Sequence, residues 1–486
     1  MSWPDHHSIL YALGTFLGGI AVLMLLPALA DYATGHDNWS AFIAGATITG
    51  GVGGAMILAF RTRRDPVIGR REGFLLISLT WVTVCAFSAL PLTLSDPGLT
   101  LTDAFFEAMS GLTTTGSTVM VGLDYQSHGI LLWRALLHWV GGIGIIVLAV
   151  MMLPYLRVGG MQLFRAESSD KSDKIRARAS EVTWEIFSIY AVLTLLCAVA
   201  LTVSGMPLFD AVCHAMATVA TGGFGTKDAS IGYYHSPLIE WVTTIFTLLA
   251  GLTFTLMARA VWHGEWRPIL RDTQTRWFIG YIGICIAALA IWQVAVNGRD
   301  AEGAIRSSAF TVVMLGTTTG FVSEDYSLWG AFPVSLAMIL FFVGGCTGST
   351  SGSIKVFRFR ILGSFAKWQI RSLVHRHRVL LPTYNGIPVT DEIVRSVIGF
   401  VVLYLFAFAM LGLGVASFDV DMVTAFSGVA QALGNVGPGL GPVIGPAGNY
   451  ASLPDGAKWL LAVAMLLGRL ELLTVLVLFT PTFWRG

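Results

Sequence analysis

Charge is what this chain of 486 residues lacks most. Asp, Glu, Lys and Arg make up 12% of it, against roughly 25% in an ordinary soluble protein, while 55% is hydrophobic and the mean hydropathy is +0.71. A soluble fold of this length cannot solvate its surface with so few charges, and a chain this apolar does not stay disordered. An excess of one sign is missing too. The net charge is +1, which excludes a basic nucleic-acid binder. Cysteine is sparse: Cys85, Cys197, Cys213, Cys285 and Cys346 are odd in number and scattered, so they form neither a disulfide framework nor a CxxC site. The ten His show no HExxH-like spacing, which argues against a bound transition metal. No P-loop lysine motif and no dinucleotide fingerprint is present, so the chain itself carries no organic cofactor.

What is present is apolar sequence in runs of spanning length. Ten stand out, at about 8–30, 39–60, 74–94, 129–155, 182–204, 236–262, 277–297, 329–354, 393–417 and 457–480. Such runs predict an all-α polytopic membrane protein rather than a barrel of short strands. Basic residues cluster in alternate loops: Arg61–Arg71, Arg157–Arg178, Arg267–Arg276 and Lys355–Arg378. The positive-inside rule then places these loops and both termini in the cytoplasm. Gly50, Gly51, Gly53 and Gly54 read as a helix-packing surface.

The remaining loops follow runs three, five, seven and nine. Each holds a semi-apolar stretch too short to span and too apolar for a solvated loop, as in a re-entrant helix. Aligned without gaps, Asp103-AFFEAMSGLTTTGS, Asp210-AVCHAMATVATGGF, Ser307-SAFTVVMLGTTTGF and Thr424-AFSGVAQALGNVGP bring Gly116, Gly223, Gly320 and Gly437 into one column. The two columns before it hold Thr114, Thr221, Thr318 and Asn435, then Thr115, Gly222, Thr319 and Val436. The period is near 100 residues: helix, re-entrant hairpin, helix, four times over. The predicted organisation is an N-terminal helix pair (1–65) and four repeats at 66–160, 175–265, 275–360 and 385–486. Extended backbone at membrane depth must be buried or line a watery cavity. Four such hairpins around one axis would present a ring of carbonyl oxygens, which replaces the hydration shell of a cation. Asp103 and Asp210, at the starts of their short helices, are expected to cap them.

These residues resemble the Trk/Ktr/HKT superfamily of potassium transport proteins, over nearly the whole chain and most closely its bacterial Trk branch. The extra N-terminal pair and the tract Gly159-GMQLFRAESS fit that branch. The resemblance implies K+ as the transported ion and a pseudo-fourfold pore within one chain. It implies one filter glycine per repeat, at Gly116, Gly223, Gly320 and Gly437. It also implies homodimers in the bacterial inner membrane and a cytoplasmic, nucleotide-binding regulatory ring of the TrkA type. The fourth repeat, Asn435-Val436-Gly437-Pro438, departs most, since it has no Thr. Gly at position 116, where superfamily members that carry Na+ have Ser, favours K+.

Two further features lie in the spans. Run eight contains Gly344-GCTGSTSGS, with Gly345, Thr347, Gly348, Ser349 and Gly352 in it. Small polar residues make poor helix and poor lipid-facing surface. A broken helix there reads as an intramembrane loop below the filter acting as a gate, or else as a small-residue packing seam. Lys355, just beyond it, is either part of that gate or an anchor at the cytoplasmic helix end. Arg469 lies inside run ten, where a charge at mid-bilayer costs several kcal/mol. It is expected to face the pore near the Gly345–Ser353 loop as an electrostatic barrier to K+; the competing reading is an ion pair with a buried carboxylate. Glu471, two positions on, should point elsewhere on a continuous helix. Glu107 and His214 should make local hydrogen bonds, and His138 should be packed rather than a ligand. The basic inner loops are candidate docking surfaces, or plain topology signals that contact anionic lipid.

Two other functions compete with a K+ pore. A H+- or Na+-coupled symporter needs carboxylates at mid-membrane on broken helices. The runs show none beyond Glu471 and the helix ends. An intramembrane enzyme needs a nucleophile–base or paired-acid set. Ser349, Ser351 and Ser353 have no His or Asp in their segment, so no enzymatic activity is expected.

Overall fold

The computed structural model describes residues 6–61, 69–152, 173–374, 383–385 and 387–485. The Gly159–Ser169 tract and the basic residues Arg63, Arg64, Arg157, Arg165, Lys171, Arg376 and Arg378 lie outside the described residues. The described chain is mostly helical; its extended pairing is one ribbon, in which Thr383–Tyr384 pairs antiparallel with Ile387–Pro388, and an isolated parallel bridge between Val343 and Ile354. Among the described residues, seven helices are long and apolar enough to cross a membrane: His6–Thr34, Trp39–Phe60, Arg71–Leu94, His128–Ile146, Val182–Val203, Thr273–Ala295 and Asp391–Ala416. They match seven of the ten predicted runs.

The other three runs are broken, and each break has a physical cause. Run six bends by 95° between Pro237–Ala250 and Phe254–His263. The backbone groups freed there are taken up by the small-residue loop of run eight. Cys346 N–H donates to the Gly251 carbonyl (3.0 Å), and Phe254 N–H donates to Gly348 (3.0 Å). Run eight is helical only over Ala331–Leu340, and helix resumes at Val356–Val374, after the loop. Run ten bends by 104° after Asp455–Arg469. Leu472 N–H closes back on the Leu467 carbonyl (2.8 Å), and Glu471 sits in the left-handed region at φ 55°. That is a Schellman-type stop, which normally carries Gly at the left-handed position. No Gly marks it here, so a continuous helix was the natural prediction. Glu471 therefore leaves the helix and pairs with Arg358 at 2.6 Å.

The four short helices are Leu101–Leu112, Leu208–Val219, Ala301–Gly316 and Met422–Gly434. Their later turns are buried on all sides, which suits re-entrant helices enclosed by protein. Their caps differ from expectation. Thr100, Asp300 and Asp421 cap the first, third and fourth, accepting from Asp103, Gly303 and Thr424 N–H. Asp103 is a residue of the first turn, paired with Lys458 at 2.6 Å. The second helix starts after Pro207 with no side-chain cap, and Asp210 lies in its first turn.

The N-terminal pair packs through glycine, but only in part as expected. A Cβ on Gly53 would lie 2.8 Å from the Gly14 carbonyl, and the reverse holds for Gly14. Gly50 approaches Ala21, whereas Gly51 and Gly54 face open space. Gly53→Val should therefore cost about 1–3 kcal/mol through overpacking and lower the melting temperature of the purified protein. Gly54→Ala, at an open helical position, should leave it unchanged or raise it slightly. Equal melting temperatures for the two variants would show that the Gly14–Gly53 crossing does not hold the pair.

Candidate functional site

Each short helix ends in the same turn. Thr115, Gly222, Thr319 and Val436 donate their N–H groups back to the carbonyls of Ser110, Ala217, Met314 and Gln431, at 2.8–2.9 Å. Just before each lies a left-handed residue: Thr114 (φ 51°), Thr221 (51°), Thr318 (60°) and Asn435 (53°). Glycine or asparagine normally fills that position. A β-branched residue there is strained, and such strain gathers at functional sites. Asn435 is thus no defect in the pattern: it is the non-glycine residue that tolerates this backbone best.

One residue further on, Gly116, Gly223, Gly320 and Gly437 have φ of 84°, 84°, 75° and 109°. Their neighbours close a ring. A Cβ on Gly116 would strike the Gly222 carbonyl, one on Gly223 the Thr319 carbonyl, and one on Gly320 the Val436 carbonyl. A Cβ on Gly437 would stand 2.8 Å from the Thr115 carbonyl. The order runs first to second to third to fourth and back to first. The four turns therefore surround one axis, each glycine against the carbonyl of the next repeat.

The hydroxyls of the threonines hold the turns. Thr113 and Thr115 share a hydrogen bond (2.7 Å), as do Thr317 and Thr319 (2.8 Å). Asn435 Nδ2 donates to Thr115 Oγ1 (2.9 Å) and to the Met465 carbonyl (3.0 Å), tying the fourth turn to the first. Thr221 Oγ1 donates to the Ala220 carbonyl.

A buried polar frame supports the ring, and the sequence reading missed most of it. Arg134 and Glu107 form an ion pair at 2.8 Å, 1% and 0% exposed. Arg134 also donates to the Gly225 carbonyl (2.9 Å) and lies 4.0 Å from the centre of the Phe224 ring. Glu107 accepts from Thr118 and from Val119 N–H. The pair thus ties the first short helix to the outgoing strands of the first and second turns. Arg134 stands inside an apolar run, so the argument applied to Arg469 would have found it. His138 is a structural bridge. Its Nε2 accepts from Phe224 N–H (3.1 Å), which leaves Nδ1–H to donate to the Gly111 carbonyl (2.7 Å). His214 Nδ1 meets the Asp210 carbonyl, one helical turn back.

The Gly344–Ser353 loop lies against the helix ends that form the ring. Gly352 N–H donates to Thr318 Oγ1 (2.6 Å) and Thr350 Oγ1 to the Val219 carbonyl (3.1 Å), while Ser353 Oγ donates to the Phe341 carbonyl (2.6 Å) and lies 3.2 Å from the Gly434 carbonyl. Thr347 N–H is held by Gln274, and the Ser349 and Ser351 hydroxyls pair with each other. A Cβ on Gly345 would press on Ser351, and Gly348 is left-handed at φ 76°. Lys355 Nζ reaches back to the Ser351 carbonyl.

Arg469 is 3% exposed and bridges the loop to the fourth span: Nη1 donates to Thr350 O (2.7 Å) and Nη2 to Gly141 O (3.3 Å). Its partners are carbonyls, so the ion-pair reading falls to its neighbours. Glu471 takes Arg358, whose guanidinium also lies 3.8 Å from the Phe400 ring centre. Lys355, Arg358, Arg469 and Glu471 line one cavity together with Gly352 and Tyr404.

The ring geometry sets a prediction. Gly223→Ala and Gly320→Ala force a methyl group into a neighbouring carbonyl and strain the backbone, so each should abolish cation flux. Gly437→Ala has the most room, though its φ still strains it, and should retain the most flux. Cation flux in proteoliposomes decides it; full flux in Gly223→Ala would refute the ring.

Comparison with known proteins agrees with this architecture. The family model TrkH, described as cation transport protein, matches residues 40–485. The Trk system potassium uptake protein TrkI of Halomonas elongata is 45% identical over 468 residues, covering 96% of this chain and 94% of its own. The Trk system potassium uptake protein TrkH of Escherichia coli K12 is 43% identical over 420 residues, 85% of this chain and 86% of its own. The crystal structure of the potassium transporter TrkH from Vibrio parahaemolyticus superposes with a TM-score of 0.91 at 35% identity, covering 99% of this chain and all of that one. On these matches the chain is a multi-pass membrane protein, and it belongs to the TrkH family of cation transport proteins.

Proposed function

We propose that this protein takes up potassium through a channel-like pore along the axis of the four turns. The observation that carries this reading is the closed glycine-to-carbonyl ring. A short ring of backbone carbonyls substitutes for the hydration shell of a monovalent cation without any cofactor. Thr114–Gly116, Thr221–Gly223, Thr318–Gly320 and Asn435–Gly437 form the filter. The similarity to potassium uptake proteins supports K+ as the ion carried.

Below the filter, the Gly344–Ser353 loop acts as the gate. Arg469 holds it through Thr350, and Lys355 holds it through Ser351. An unneutralised guanidinium there also raises the local potential against a cation. The helix Val356–Val374 leaves the loop directly and carries Arg358, Arg360, Lys367 and Arg371. It gives a cytoplasmic regulatory ring of the TrkA type, binding nucleotides, a lever on the gate. In this reading the basic side and both termini are cytoplasmic, the membrane is the bacterial inner membrane, and two copies form a homodimer. The four repeats and the N-terminal pair are its structural units.

Buried carboxylates give little support to proton coupling. Glu107 and Glu240 are paired with Arg134 and Arg306, and Asp31 is held by Ser127 and Gly129 N–H.

The test is cation flux into proteoliposomes with K+, Rb+, Na+ and Li+, with and without a pH gradient. K+ and Rb+ should exceed Na+, with no response to the pH gradient; flux that follows the proton gradient would overturn the channel reading in favour of symport. Arg469→Ala removes the one charged hydrogen bond that ties the closed gate to this residue, at Thr350, and should raise K+ flux by about tenfold or more. Unchanged or lower flux at normal expression would remove Arg469 from the gate.

A further inference from the structure

The four glycine carbonyls are not equivalent. Among the described residues no hydrogen-bond donor reaches the carbonyls of Gly116, Gly223 or Gly320, whereas Gly437 has two. Ser117 Oγ donates to Gly437 O at 2.9 Å and Tyr450 Oη donates to it at 2.8 Å. Both donors are buried, Ser117 at 1% and Tyr450 at 2% exposure. Ser117 has a single proton, and its other contact, Gln431 Oε1, is longer at 3.2 Å. That Gln431 oxygen already accepts from Gly437 N–H (3.1 Å), so both polar groups of Gly437 are fixed. Tyr450 is itself held in place. Its N–H donates to the Thr118 carbonyl (2.9 Å), and its ring packs on Phe106 with 5.5 Å between centroids.

A carbonyl oxygen has two acceptor sites. Two hydroxyl donors fill both and draw electron density away from any ion. We infer that Ser117 and Tyr450 are specificity-determining residues: they weaken the Gly437 carbonyl, so that the layer of glycine carbonyls one residue beyond the Thr115–Gly222–Thr319–Val436 ring acts as three strong ligands and one weak one. This rests on the reading of the ring as a cation filter. Selectivity follows the number and field strength of the coordinating dipoles. A weaker field disfavours small, strongly hydrated cations most, because it returns less of their hydration energy. The two hydroxyls therefore tilt the ring against Na+ and Li+ without touching the ion.

The test is the flux of Li+, Na+, K+, Rb+ and Cs+ through Ser117→Ala, Tyr450→Phe and the double variant in proteoliposomes. Tyr450→Phe keeps the ring packing and Ser117→Ala removes a single oxygen. The double variant should raise the Na+-to-K+ and Li+-to-K+ flux ratios about fivefold, the worth of a typical hydrogen bond, and lower Cs+ relative to K+. Each single variant should shift the ratios the same way by less. Unchanged ratios, or an equal rise for all five cations as in a merely loosened pore, would overturn the inference. Failure of the filter reading itself shows elsewhere, as wild-type protein that does not favour K+ over Na+.

Discussion

The structure depends on a contact that allows no side chain. Each of four glycines sets its Cα against the carbonyl of the following repeat, and the series closes on itself. Everything around it serves to deliver four backbone turns to that place. The short helices stop one turn early through the same backward hydrogen bond, and the residue before each stop takes a left-handed conformation. Threonine pays a strain cost there that Asn435 largely avoids. Of these threonines, Thr318 accepts from Gly352 N–H of the loop and Thr221 donates to the Ala220 carbonyl, whereas Thr114 Oγ1 makes no hydrogen bond among the described residues; the paired hydroxyls are those of the flanking Thr113, Thr115, Thr317 and Thr319.

Irregular backbone in an apolar medium needs partners for every polar group. The Arg134–Glu107 pair supplies several from one buried point, and His138 and Gln431 supply others. Breaking a buried pair by removing one partner costs about 3–5 kcal/mol, so the frame behaves as a unit. Glu107 is committed to Arg134, to Thr118 and to a backbone N–H. A negative charge close to the ring is thus spent on rigidity.

The same economy joins the ring to the loop beneath it. The loop's backbone satisfies the break in run six, its Gly352 N–H engages Thr318, and its Thr350 carbonyl engages Arg469. Displacing the loop therefore exposes polar groups on three repeats at once. Arg358 and Glu471 extend this coupling to the first turn of the basic helix Val356–Val374.

Composition and run length alone determined a helical membrane protein, and the gapless alignment of Gly116, Gly223, Gly320 and Gly437 determined a fourfold repeat. Both signals are local: each needs only the hydropathy of a segment or the identity of a residue that allows a positive φ. The role of Arg469 as a buried cation was legible for the same reason. Arg134 is equally legible, as a charge inside an apolar run. Tertiary structure alone decided where helices break. Runs six and ten look continuous, because the partners at their breaks lie about a hundred residues away: Cys346 N–H and the Gly348 carbonyl take up the freed backbone of run six, and Arg358 takes the Glu471 carboxylate of run ten. It also decided that Arg469 faces carbonyls rather than a carboxylate, and that Gly437 differs from its three counterparts. A hydrogen bond between Ser117 and Gly437 joins residues 320 positions apart, and no periodicity in the chain encodes it.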